Sequence, residues 1–226
     1  MFFYLPLVGK KLGGGINKIF IIGLPRTGTT SVSAAMLDYG FKVAHTAYTK
    51  RAFELADVIS DAPCFCDYKE LDKLFPGSKF IYLERSLEHW LPSIKMLVKK
   101  MLAELDPARG YLHPVLKRSF NTTFALTNTR ATNTDLNEAH FIKCYLNHQN
   151  AISNYFANRN DLLKISIGDH GSLKSLLGFL NIDYNVDRSF PNLNTGKQVD
   201  AWKQLKHPNK VNALAAGKEH RKFFDY

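Results

Sequence analysis

The sequence predicts an α/β fold of three layers, in which helices flank a central, mainly parallel sheet. Short apolar runs rich in β-branched residues alternate along the chain with stretches of helical periodicity, and this alternation is typical of βαβ units. The chain has 226 residues, of which 45% are hydrophobic, so it is long enough to bury a core without disulfides or metal. In such sheets ligands bind beyond the carboxyl ends of the strands.

The elements follow from this alternation. The first strand is expected at 18–23, and the helix after it ends at Gly40. A helix ending at Phe75 precedes a strand at 79–83, and a long helix then runs through Trp90 and Leu102. Residues 106–134 are rich in Pro, Asn and Thr, which indicates a long loop or lid. Further predicted elements are a strand at 41–44, a helix at 135–158, a strand at 162–167 and a helix at 172–180. We expect one domain over 1–226.

Basic residues outnumber acidic ones by ten, with 30 Lys and Arg against 20 Asp and Glu. Nine of the ten excess charges lie in two stretches, 95–130 and the C-terminal 197–226. Such patches raise the local concentration of negative ligands. They suit nucleic acid, anionic lipid or a multiply phosphorylated small molecule, and the alternative is a solvated Lys-rich surface.

The spacing of the cysteines and the character of the first residues indicate in which cellular compartment the protein is expected. Cys64, Cys66 and Cys144 do not have the spacing of a zinc or redox motif. We therefore expect reduced thiols in a cytoplasmic protein. The apolar residues 1–8 are too few to span a bilayer and are followed, not preceded, by lysines, so neither a signal peptide nor a membrane span is expected.

The stretch 23–31, Gly-Leu-Pro-Arg-Thr-Gly-Thr-Thr-Ser, lies where the first strand turns into the first helix. Gly23 and Gly28 bracket a tight loop in which backbone N–H groups can converge on an anion, and the start of the helix adds its positive dipole end. Further donors are the hydroxyls of Thr27, Thr29, Thr30 and Ser31. The loop is a candidate phosphate site, and a merely tight strand-to-helix turn is the alternative.

The two glycines have the spacing of a Walker A loop, but Thr29 stands where that loop has its Lys. The cation inside the loop is Arg26, and the strand at 79–83 is followed by Glu84 and Arg85 instead of a metal-binding Asp. Nucleotide triphosphatases need the Lys and a carboxylate-held Mg²⁺. These departures disfavour an ATPase or GTPase.

The stretch 23–31 resembles the 5′-phosphosulfate loop of the sulfotransferases that use 3′-phosphoadenosine 5′-phosphosulfate (PAPS), and in particular a small subfamily whose loop begins Gly-Leu-Pro-Arg-Thr-Gly-Thr. Looser similarities extend over roughly residues 18–196. The resemblance implies a P-loop NTPase-like fold, with Lys or Arg where Arg26 stands. It also implies that the donor is bound by Pro25, Arg26, Thr27, Gly28, Thr29, Thr30 and Ser31.

A second motif supports the same resemblance. The family binds the 3′-phosphate with an Arg at the end of a strand and a Ser eight positions later on the next helix, and Arg85 and Ser93 have this separation. The resemblance therefore implies that Arg85 offers its guanidinium fork to the 3′-phosphate and Ser93 a hydroxyl. A structural ion pair is the alternative for Arg85.

The resemblance implies transfer of a sulfuryl group from PAPS, as co-substrate, to a hydroxyl or amine, with no metal required. Arg26 is the candidate for stabilising charge on the leaving phosphate. His45 and Asp61 are candidates for the general base. Further histidines near the predicted lid are His113, His140 and His148. The alternatives are a P-loop phosphotransferase or nucleotide hydrolase, and a non-catalytic nucleotide-binding protein of the same fold.

The acceptor stays open, because the residue types of 106–158 fit a phenol, a carbohydrate, a lipid or a peptide equally well. No basic-aromatic motif of an RNA-binding module is present, so nucleic acid is not expected as a partner. The basic C-terminal segment 197–226 is a candidate for 3′-phosphate contacts. Candidates for closing on nucleotide or on an anionic acceptor are Arg109, Lys117, Arg118 and Arg130.

Overall fold

A computed structural model describes residues 18–126, 137–183, 188–193 and 201–216. The strands are, in chain order, β1 (Ile19–Ile21), β2 (Val43–Ala44), β3 (Val58–Ser60), β4 (Lys79–Glu84) and β5 (Leu162–Ser166). They form one sheet in the order β2-β3-β1-β4-β5, and all four pairings are parallel. The predicted α/β class with a parallel central sheet is confirmed.

Helices connect the strands and continue beyond them. In the described ranges they are α1 (Thr29–Asp38), α2 (Lys50–Leu55), α3 (Cys64–Leu74), α4 (Leu87–Met101), α5 (Pro114–Phe124), α6 (Glu138–Tyr155), α7 (Ser172–Phe179) and α8 (Ala201–Gln204). A 3₁₀ turn, Leu102–Leu105, extends α4.

The two faces of the sheet bury two separate apolar clusters. Ile19 and Ile21 of β1 pack with residues of α1 and α7 on one face. Phe20 and Ile22 pack with residues of α2, α3 and α6 on the other. Successive side chains of a strand point to opposite faces, so a continuous apolar run such as that of β1 marks a strand covered on both sides.

A third apolar cluster lies beyond the carboxyl ends of the strands, among α4, α5 and α6. Its fully buried members include Trp90, Phe124 and Phe141, and Leu24 of the loop after β1 joins them. The loop that follows β1 therefore packs, through Leu24, on a cluster of buried aromatic side chains.

The expected loop over 106–134 is wrong for Pro114–Phe124, which forms α5. Pro114 occupies the first turn, where its fixed φ and missing N–H cost nothing. The Nδ1 atom of His113 accepts a hydrogen bond from the Val115 N–H and caps the helix. Residues 127–134 lie outside the described ranges. β3 and α2 were not predicted, because they are too short to show a period in the sequence.

Residues 201–216, the edge segment, run along the outer edge of β2. The Val43 N–H donates to Asn209 O at 3.0 Å, and the Val211 N–H donates to Val43 O at 2.8 Å. Backbone pairing of this kind covers a strand edge that would otherwise be open to other chains.

Among the described helices, none combines the length and the apolar character that crossing a bilayer requires.

Candidate functional site

A cavity of about 1440 Å³ lies at the carboxyl ends of the strands. Each of the five strands contributes lining residues from the segment that follows it or from its last position, as expected for a parallel sheet. Representative contributors, taken from β1 to β5 in chain order, are Arg26, His45, Asp61, Arg85 and Ser166.

The loop after β1 has its backbone carbonyl oxygens held by donors of the protein. Thr27 donates to Leu24 O from its N–H at 3.2 Å and from its Oγ1 at 2.7 Å. Trp90 Nε1 donates to Pro25 O at 2.9 Å, and Arg85 Nη1 donates to Arg26 O at 2.6 Å. These bonds offset the partial negative charge of the carbonyl groups, which would otherwise repel an anion.

Gly28 fixes the path of the loop into α1. Its φ of +109° lies in the left-handed region, and a Cβ atom there would lie 2.4 Å from Ile167 Cδ1. As N-cap residue it has no side chain to cap the helix. The N–H groups of a first helical turn have no acceptor within the helix, and this end carries the positive pole of the dipole. The loop therefore presents an anion-binding helix start to the cavity.

Two guanidinium groups lie beside this helix start. Arg26 Nε donates to Ser93 Oγ at 2.7 Å, and Arg85 is bonded to the carbonyl of Arg26. Burial, and then the positive charge of Arg85, lower the pKa of Arg26. Two neighbouring cations are stabilised by an anion between or near them. The donor set of hydroxyls, guanidinium groups and helix start fits a phosphate or sulfate group.

The indole of Trp90 and the phenol of Tyr145 hold the backbone of the loop after β1 and of Arg85. Tyr145 OH donates to Arg85 O at 2.7 Å, and Trp90 holds the carbonyl of Pro25. From the sequence, Trp90 and Tyr145 were placed only within predicted helices, and their hydrogen bonds were not predicted. A buried Trp or Tyr usually finds a hydrogen-bond partner for its polar atom, and this general tendency is the signal that could have indicated such a role.

His45 connects the loop to Asp61. His45 Nε2 and Thr30 Oγ1 lie 2.6 Å apart, and His45 Nδ1 lies 3.7 Å from Asp61 Oδ2. Burial lowers the pKa of His45, and the carboxylate of Asp61 opposes that effect. Burial raises the pKa of Asp61, and His45 opposes that effect. The pair can hold or pass a proton beside the loop.

The structure brings most of the predicted site residues to one cavity. Ser31 does not line it, and its Oγ accepts a hydrogen bond from the Leu193 N–H at 3.3 Å. The predicted site residues that line the cavity are Pro25, Arg26, Thr27, Gly28, Thr29, Thr30, His45, Asp61, Arg85 and Ser93.

The three further candidate histidines do not line the cavity. His148 Nε2 lies 2.7 Å from Phe65 O, and His140 Nε2 lies 2.8 Å from Phe124 O. His113 caps α5 and stacks on Tyr48.

Two of the basic candidates are engaged elsewhere. Lys117 Nζ donates to the carbonyl oxygens of Pro107 and Gly110, and Arg118 pairs with Asp67. Arg130, 197–200 and 217–226 lie outside the described residues. In the described part of the C-terminal stretch, Trp202 and Lys203 line the cavity, and the Trp202 ring lies 5.3 Å from that of His45.

All three cysteines are free thiols. Across the described residues, no cluster of His, Cys, Asp and Glu side chains is arranged to hold a metal ion.

Comparison with known proteins bears on this site. A family model described as a sulfotransferase domain matches residues 18–52 and 46–199. The matched residues include the loop after β1, the His45–Asp61 pair, Arg85 and Ser93. A search of the curated proteins found no match.

Proposed function

The chain belongs to the sulfotransferase family, and from that premise we propose that it transfers a sulfuryl group from PAPS to a hydroxyl or amine of an acceptor. The observation that carries the choice of donor is the anion-binding loop with Arg26, Arg85 and Ser93 grouped around one helix start. A donor with separate 5′-phosphosulfate and 3′-phosphate groups matches two neighbouring guanidinium groups, one from Arg26 in the loop and one from Arg85 after β4.

In this proposal the loop after β1 and the start of α1 bind the 5′-phosphosulfate group. Residues 25–31 supply backbone N–H and hydroxyl donors, and Arg26 supplies a fixed positive charge. Arg85 and Ser93 bind the 3′-phosphate, where the planar guanidinium can make two parallel hydrogen bonds. Because Ser93 is bonded to Arg26, the two phosphate sites share one network.

The reaction forms a bond between the acceptor oxygen or nitrogen and sulfur. The bond between sulfur and the bridging oxygen of the 5′-phosphate breaks, and its electron pair stays on that oxygen. Arg26 and the helix start stabilise this developing charge. The proton of the acceptor passes to the Asp61–His45 pair. The products are the sulfated acceptor and 3′-phosphoadenosine 5′-phosphate.

Isothermal titration calorimetry tests the donor assignment. We expect tight binding of 3′-phosphoadenosine 5′-phosphate and weak binding of ATP–Mg²⁺. The Arg85→Ala variant should lose about tenfold or more of the preference for the bisphosphate over adenosine 5′-phosphate, since a charge-assisted bidentate contact contributes on the order of 2 kcal/mol.

Arg51→Ala is the matched control, because the Arg51 side chain is 43% exposed, pairs with Glu54 on α2 and does not line the cavity. It should bind both nucleotides as the parent protein does. Tight binding of ATP–Mg²⁺ without binding of the bisphosphate would contradict the proposed donor and favour a phosphotransferase. An unchanged nucleotide preference in Arg85→Ala would contradict the 3′-phosphate assignment alone.

A further inference from the structure

We propose that the acceptor is an uncharged alcohol or phenol with a largely apolar body, which lies along α4 and α5 with its hydroxyl at Asp61. The inference rests on the proposed function and names the substrate class that the notably apolar wall of the cavity would accept.

One wall of the cavity consists of apolar side chains from α4, the segment before α5, and α5 itself. Several of them are only partly buried, yet they pack on the cluster that contains Trp90. An apolar wall that protein atoms cover on one side only gains free energy when an apolar ligand covers the other side. The six side chains of this acceptor wall are Met96, Leu97, Met101, Leu112, Leu116 and Phe120.

The charges near the acceptor wall do not favour an anion. Of the described basic residues in 95–126, Lys100 alone lines the cavity, and the acidic Glu104 lines it as well. Lys95 Nζ lies 2.8 Å from Glu138 Oε1, while Lys117 bonds to backbone carbonyls and Arg118 to a carboxylate. The basic stretch that suggested an anionic acceptor therefore directs most of its described charges away from the cavity.

A carbohydrate is disfavoured by the same wall. Each sugar hydroxyl that loses water against Leu or Met side chains loses a hydrogen bond without replacement, and an unpaired buried polar group is costly. An acceptor with one reacting hydroxyl and an apolar body avoids this cost.

Tyr48 links the acceptor wall to the base. Its ring stacks on His113 at 4.2 Å and 7°, and His113 caps the N-terminus of α5. Tyr48 and Asp61 both line the cavity. Burial raises the pKa of Tyr48 to about 12, so its ring remains neutral. The acceptor wall and the proton acceptor thus belong to one continuous surface.

The test measures transfer of radiolabelled sulfate from PAPS to naphthol, glucose and glucuronate. We expect kcat/KM for naphthol to exceed that for either sugar by about 100-fold or more, and Leu116→Gln to lower the naphthol value about tenfold or more. Leu116→Met, which keeps an apolar side chain of similar volume, should stay within about threefold. Leu74→Gln is the surface control, because Leu74 is 45% exposed and lies on α3, outside the cavity lining.

Binding measurements separate this inference from the proposed function. Calorimetry with 3′-phosphoadenosine 5′-phosphate should give the same affinity in all three variants, and thermal melting confirms that each is folded. Saturable naphthol binding that Leu116→Gln weakens and Leu116→Met keeps would support the acceptor wall even if no transfer occurred. A protein that binds the bisphosphate but prefers glucose or glucuronate, or that does not bind naphthol, would overturn the acceptor class and leave the donor assignment standing.

Discussion

Asp61 and His45 form one pair, but their side chains are exposed to the cavity to different extents. The side chain of Asp61 is 19% exposed and that of His45 is 11% exposed. The Nε2 atom of His45 is already within 2.6 Å of Thr30 Oγ1. We therefore expect Asp61 to take the proton from an acceptor, and His45 to orient the Asp61 carboxylate and to lower its pKa.

The Asp61→Asn variant should lower kcat about 100-fold or more, because a general base contributes that much. His45→Gln should keep more activity but shift the pH profile. A base is active only when deprotonated, so the rate falls as the pH drops below its pKa. Since His45 lowers the pKa of Asp61, removing it should move this acidic limb to higher pH. Rates of sulfate transfer measured from pH 5 to pH 9 provide the check.

Asp57→Asn is the control for these variants, because Asp57 precedes β3 and accepts a hydrogen bond from the Lys42 N–H at 2.9 Å. Should His45→Gln remove the acidic limb while Asp61→Asn retained it, the histidine would be the base.

The residues that line the cavity after β1 could be selected from the sequence because they are contiguous in the chain. Gly28, with its left-handed φ, and the four hydroxyl residues follow one another in the chain. The contacts of Trp90 with Pro25 O and of Tyr145 with Arg85 O join residues far apart in sequence. A single sequence carries no measure of such distances, so these contacts were not predicted.

An ion pair joins helices α3 and α5. Asp67 on α3 is 6% exposed, and Arg118 Nη1 donates to its Oδ1 at 2.8 Å while Nη2 donates to Oδ2. The guanidinium meets the carboxylate with two parallel bonds, which is the strongest geometry for this pair. Leu116 and Phe120 of the acceptor wall lie on α5, so the ion pair connects this wall to α3.

The Arg118→Ala variant should lower the free energy of unfolding by about 2 kcal/mol. It leaves a buried carboxylate without its guanidinium, a change that costs about 3–5 kcal/mol in a fully buried pair, and Arg118 is 45% exposed, which reduces the loss. The double variant Asp67→Asn with Arg118→Met should lose less than the sum of the single variants. Urea unfolding measures all of them, and an Arg118→Ala protein as stable as the parent would show that the pair does not hold the helices together.

Elements were predictable where they are long or covered on both faces, as β1, β4, α4 and α6 are. The helix α5 was missed because Pro, Asn and Thr dominate the surrounding stretch, yet Pro114 at its start is a usual first helical residue. The strand β3 was missed because three residues show no period, and its place in the sheet follows from pairing with β1 and β2.

At the scale of the whole molecule, stability should depend on His148. This side chain is 8% exposed, and burial lowers its pKa to about 4. Its Nε2 lies 2.7 Å from Phe65 O, and among the described residues its Nδ1 has no hydrogen-bond partner. The neutral ring is therefore the form that the fold accommodates.

In the unfolded chain His148 has a pKa near 6.5, well above its pKa in the folded protein. The contribution of the neutral His148 to the free energy of unfolding is therefore fully present above pH 6.5 and is lost as the pH falls towards 4. Between pH 8 and pH 5 the parent protein should lose about 2 kcal/mol more than His148→Gln, whose amide can donate to Phe65 O without titrating. Urea unfolding at both pH values measures the difference. Equal losses in the two proteins would show that His148 does not titrate as described.

The parallel sheet, and a cavity at the carboxyl ends of its strands, were predictable from the alternation of strands and helices. The strand order was not, because it depends on which apolar faces pack together. The net charge of +10 indicated either a negatively charged ligand or a solvated Lys-rich surface, and the structure divides the basic residues into two groups. Arg26 and Arg85 face the cavity, whereas several of the lysines and arginines of 95–126 bond to carbonyl and carboxylate groups of the protein itself.

The edge segment also matters for the order in which the chain is synthesised. Residues 201–216 pair with β2 and place Trp202 against His45. Because all five strands precede residue 201 in the chain, the ribosome synthesises every strand before it adds this segment. Before this segment is added, the backbone groups at the outer edge of β2 lack the partners that it supplies, and the cavity lacks Trp202 and Lys203 from its lining. A product that stops before residue 201 exposes this edge to neighbouring chains, which is a route to aggregation.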